Sequence, residues 1–139
     1  MRFRNCVIDK DIASAIVEAN RLLSVNSPMI DELKLKNDFK YASGSGEEVV
    51  KKLLAPTEPV SVFIYRPWNK WSSALGYFDG KSIFVNVRKL PINRADLVGL
   101  LCHEFAHYAG FNHGNNYKTN DKILFSVPYF ISENVRKWI

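Results

Sequence analysis

All three histidines of this 139-residue chain stand in one stretch, His103-Glu104-Phe-Ala-His107-Tyr-Ala-Gly110-Phe-Asn-His113. Neutral imidazole is a strong nitrogen donor for zinc-type metals. On a helix, residues four apart differ by about 40° in direction and about 6 Å in height, so His103 and His107 leave one face side by side. A tetrahedral site with an open position needs a third protein donor. A helix that simply continued would carry His113 out of range. Gly110, free to take a positive φ, ends the helix and turns the chain so that His113 returns below the ion. Glu104 flanks such a site without ligating it, placed as a general base that takes a proton from water and passes it to a leaving amine. The spacing predicts Zn2+ held by His103, His107 and His113, with Glu104 as a catalytic residue.

The elements that must position these residues follow from periodicity and punctuation. Asn93 is a natural N-cap, Asp96 suits the first turn, and an apolar segment runs to Ala109 before Gly110, which predicts one helix carrying the motif. Leu97, Leu101, Phe105 and Tyr108 form its core-facing stripe, and Cys102 reads as a small buried thiol off the ligand face. Upstream, Ile12, Ile16, Ala19 and Leu23 give a backing helix over 10–24. The stretch 25–42 has no clear period and is read with a short strand at Leu33–Leu35. Ser45-Gly-Glu-Glu48 opens a second helix that Pro56 ends. "VSVFIY" (60–65) is a strand, and 74–90 is a hairpin turning at Asp79-Gly80. After the polar "GNNYKTND", a final helix starts near Pro128 with Ile131, Val135 and Trp138 on one face.

Composition narrows the class. The length and 47% hydrophobic content suit one globular domain over 1–139, with an upper part to about 110 and a lower part over 111–139. No apolar run approaches the roughly 20 residues of a membrane span, and charges interrupt the place of a signal peptide's apolar run, so a cytoplasmic protein is expected. Cys6 and Cys102 lack CxxC spacing and are expected as reduced, mostly buried thiols. The net charge of +5 comes from lysines and arginines dispersed along the chain, which argues against nucleic acid as a partner. Trp68 and Trp71 suit a cleft rim or, preferably, packing over the sheet. Asn86 and Arg88 are read as a solvated face, and Asn115 and Asn116 as turn residues.

The eleven-residue stretch resembles, position for position, the HExxHxxGxxH signature of the metzincin clan of zinc metallopeptidases. The resemblance implies an α+β fold: a mixed sheet with a backing helix and an active-site helix, and a small C-terminal helical part beginning at the glycine. It also implies a sheet-edge strand that pairs with extended peptide substrate, which in this chain corresponds to about Ile83–Val87. The chain departs from the clan at the methionine turn beneath the metal, since its only methionines are Met1 and Met29. The nearest equivalent is Phe125-Ser126-Val127-Pro128-Tyr129, with Val127 in the methionine's position. Tyr129 then matches a clan tyrosine that donates to the developing oxyanion, and Tyr117 is a weaker candidate. The resulting expectation is a zinc metalloendopeptidase. A zinc hydrolase of a non-protein amide, such as a cell-wall peptide link, and a non-catalytic zinc-binding module are the alternatives.

Overall fold

A computed structural model describes residues 1–114 and 126–139. The elements are strand β1 (Phe3–Asn5), helices α1 (Lys10–Leu22), α2 (Pro28–Leu35) and α3 (Gly46–Leu53), strands β2 (Val60–Tyr65), β3 (Gly76–Phe78) and β4 (Ser82–Asn86), and helices α4 (Arg94–Tyr108) and α5 (Val127–Asn134). Short 3-10 turns follow β4 (Val87–Lys89) and α5 (Val135–Lys137). The architecture is α+β with a small mixed sheet in the order β1-β2-β4-β3. β1, β2 and β4 run parallel, and β3 is antiparallel to β4. Among the described residues no helix is long and apolar enough to cross a membrane.

Alternation decides which face of the sheet is covered. Phe3, Val60, Val62, Ile83 and Val85 are buried toward the helices, and the Phe3 ring meets Phe105 of α4 at 5.4 Å. Phe63, Phe84 and Tyr77 point the other way and stack ring on ring at 5.6 and 5.1 Å. α4 packs against both α1 and α5, which is why it is buried around most of its circumference, from Ala95 to Ala106. Gly99 permits the close approach of α5: a Cβ there would stand 3.2 Å from Val135 Cγ1 and 3.4 Å from the Ser132 carbonyl. Leu97, Leu101 and Phe105 are fully buried, each worth roughly 1.5–3 kcal/mol of apolar transfer, and Tyr108 is half-buried.

The caps form where the sequence predicts them. Asn93 accepts the Ala95 N–H at 2.9 Å, and Ser45 accepts the Glu48 N–H at 3.3 Å. Five expectations need correction. Leu33–Leu35 is not a strand but the end of α2, begun by Pro28 at its first turn and by Ser27, whose Oγ accepts the Ile30 N–H at 3.1 Å. Eight residues are too few for a visible period. Ile83–Val87 is not an edge, because β4 lies between β2 and β3 and ends at Asn86; the edge on that side is β3. Asn86 is not solvated: its buried amide donates to the Ala74 carbonyl at 2.9 Å and accepts the Arg88 N–H at 2.9 Å, which fastens the strand end. Finally, Cys6 is exposed, as are Trp68 and Trp71, at 95% and 80%, so neither tryptophan packs over the sheet.

Candidate metal centre

His103 and His107 occupy the last turns of α4, and the turn that follows brings His113 to them. Gly110 takes φ +102°, with its N–H on the His107 carbonyl and the Phe111 N–H on the Ala106 carbonyl, both at 2.9 Å. This paired pattern is a Schellman close, which only a residue tolerant of positive φ makes without strain. Phe111 is buried at the exit. Lys52 of α3 holds the turn from outside, donating to the Gly110 carbonyl at 3.1 Å with its ammonium 4.6 Å from the Phe111 ring centre.

The three imidazoles converge. Ring centres are 5.1 Å apart for His103–His107, 5.2 Å for His103–His113 and 4.7 Å for His107–His113. One candidate ligand atom from each lies within 4.8 Å of the others, and the group contains no thiol or carboxylate. Hydrogen bonds fix which nitrogen is free. His107 Nδ1 lies 2.8 Å from the Phe111 carbonyl and His113 Nδ1 lies 3.1 Å from the Gly114 carbonyl. A carbonyl only accepts, so both Nδ1 atoms carry the proton and both Nε2 lone pairs remain available. His103 Nδ1 is 3.2 Å from Ser132 Oγ, whose own proton points to the Tyr129 carbonyl at 3.4 Å, and the Pro128 carbonyl also accepts from His103.

Electrostatics agree with neutral donors. Burial, reinforced by the neighbouring His107 and His113, drives the His103 pKa down to about 3. Burial also lowers that of His107, against the opposing bond to Phe111. Glu104 is 9% exposed, and burial pushes its carboxyl up to about 7 although the Phe78 N–H, bonded to it, works the other way. Cys102 is wholly buried with its pKa raised by that burial, so it is an uncharged thiol and no metal ligand. Three imidazole nitrogen donors, with no fourth protein ligand grouped with them among the described residues, match the donor set of an open zinc site.

Tyr129, half-buried at the start of α5, stands with its ring centre 4.7 Å from that of His103 and 4.5 Å from that of His113. Val127, one turn edge away, is fully buried. Tyr117, Asn115, Asn116 and Phe125 lie outside the described residues. β3 comes close to the site through Phe78. Its Leu75 carbonyl and Asp79 N–H serve β4, so Gly76 and Phe78 turn their amide groups to the outer side. Sequence reasoning missed Ser132, Lys52 and the Phe78 amide. Each acts across 26 to 58 positions of chain, and none carries a local signal. No family model, curated protein or solved structure matches this chain.

Proposed function

We propose that the chain is a zinc-dependent metalloendopeptidase of the metzincin type. The observation that carries this reading is the convergence of His103, His107 and His113 with every Nδ1 occupied, beside Glu104, the one buried carboxyl among the described residues. Zinc held by the three imidazoles would supply the Lewis acidity that lets water attack an amide near neutral pH. The remaining steps belong to the chain. Glu104, with a pKa of about 7 before any cation is bound, accepts a proton from water and returns it to the departing amine. Tyr129, whose ring centre stands 4.7 Å from that of His103 and 4.5 Å from that of His113, would serve as a donor to the oxyanion. An extended peptide pairs with the outward Gly76 amide and Phe78 carbonyl of β3, in place of the interior β4, the Phe78 N–H being held by Glu104.

The test joins metal analysis to turnover. Purified protein is expected to hold about one zinc and to cleave unfolded proteins or peptides, with a chelator abolishing cleavage. Glu104→Gln should keep the metal and lose about 10²–10⁴-fold in rate. A Gln variant that cleaves like the parent would overturn the assignment, and so would a protein that does not take up zinc.

A further inference from the structure

Beside Glu104, a cavity of about 300 Å³ opens between α4 and α5. That is the lower end of the roughly 300–1,000 Å³ range of ligand sites, enough for one long side chain and not for a whole ligand. Asp96, Gly99, Leu100 and His103 line it at helical spacing from α4, and Leu75 closes it from the approach to β3. Gly99, which the close α4–α5 packing requires, is part of that wall.

The charges in the wall are not balanced. Asp96 is paired with Arg136 at 2.8 Å. Glu133, which follows the Ser132 bonded to His103, also lines the cavity and has no ion pair among the described residues. A purely apolar occupant would strip water from Glu133 and offer it nothing in return. An acidic occupant would be repelled. A lysine or arginine satisfies both parts of the wall, laying its aliphatic stem on Leu75 and Leu100 and carrying its charge to the carboxylates.

We propose that this cavity selects a lysine or arginine side chain flanking the bond to be cut, with Glu133 as the specificity-determining residue. Its place beside a cut bond rests on the peptidase reading. The test therefore separates binding from cleavage. Matched fluorescent peptides carry lysine or its uncharged isostere norleucine, and arginine or citrulline, at the flanking positions. Equilibrium anisotropy is measured with chelator-treated wild type, Glu133→Gln and Glu133→Lys. The cationic peptides are expected to bind wild type about fivefold more tightly at low salt. The ratio should shrink at high salt, approach one in Glu133→Gln and reverse in Glu133→Lys, both substitutions lying at an exposed position that folding tolerates. Equal affinities for charged and neutral peptides, a preference indifferent to Glu133, or no binding of any peptide would each overturn the proposal. Zinc-loaded enzyme then reports separately. Cationic preference without cleavage keeps the pocket and removes the peptidase, while cleavage without preference does the reverse.

Discussion

Removing the carboxyl of Glu104 should make the metal-free protein more stable, and only at the upper end of the pH range. The folded protein holds this group at 9% exposure with a pKa of about 7, against an ordinary value of 4.5. A raised carboxyl pKa means that the folded state prefers the protonated form. Its relative contribution is fully present below about 4.5 and is lost as pH rises through about 7. A difference of about 2.5 at roughly 1.4 kcal/mol per pH unit sets an upper value of about 3 kcal/mol by pH 8. Glutamine keeps the shape and an oxygen for the Phe78 N–H, but its amide nitrogen also needs solvation, which reduces the gain to about 1–3 kcal/mol. Urea unfolding with chelator present, at pH 5 and pH 8, measures it. At pH 8 the Glu104→Gln midpoint should rise, with a thermal midpoint higher by about 3–10 °C, and at pH 5 most of the gain should vanish. Equal stability at pH 8, or the same advantage at both pH values, would refute the electrostatic account.

Two further outcomes test the histidine arrangement. Gly110→Ala forces a side chain onto φ +102° and sets a Cβ 3.1 Å from Lys52 Cε; stability should fall by about 1–3 kcal/mol and zinc affinity with it, because the turn that returns His113 is displaced. Unchanged denaturation and metal titration curves would show that the turn does not position the ligand. In metal-free protein the His103 ring, driven toward a pKa of about 3, should stay neutral in NMR titration down to pH 5, so that the stability it contributes is present above 6.5 and is lost as pH falls toward 3. A midpoint near 6.5 would place His103 in solvent and contradict its burial.

Features encoded by neighbours in sequence were legible before any fold was known. The i, i+4 histidines, the glycine stop, the Asn93 and Ser45 caps and the 60–65 strand all depend on contacts within a few residues, and each formed where expected. The errors share a different origin. The identity of the edge strand depends on β3 crossing to the outside of β4, a pairing that alternation in β4 itself does not express. Asn86 looks like a surface residue by type, yet it closes a backbone gap at Ala74 that exists only after the hairpin forms. The tryptophans mislead for the opposite reason: size argues for burial, while a loop containing Pro67 offers no neighbouring element to bury them.

Burial is what joins the core of this protein to its site. α4 is simultaneously the central packing helix and the carrier of His103, His107 and Glu104, so the apolar surroundings that stabilise Leu101 and Phe105 also desolvate the polar groups beside them. Desolvation disfavours protonation of His103 and His107 and ionisation of the Glu104 carboxyl, and both effects weaken the metal-free protein on either side of neutrality. A divalent cation would act with the first effect and against the second: it takes neutral imidazole nitrogen as its ligand and favours a nearby carboxylate over the acid. The buried polar groups of α4 therefore oppose the fold as it stands, and binding of the proposed cation would offset that cost. Replacing the histidines with apolar residues of similar volume would accordingly stabilise the chain while removing the proposed metal ligands, the trade expected wherever a polar site is built into a core rather than onto a loop.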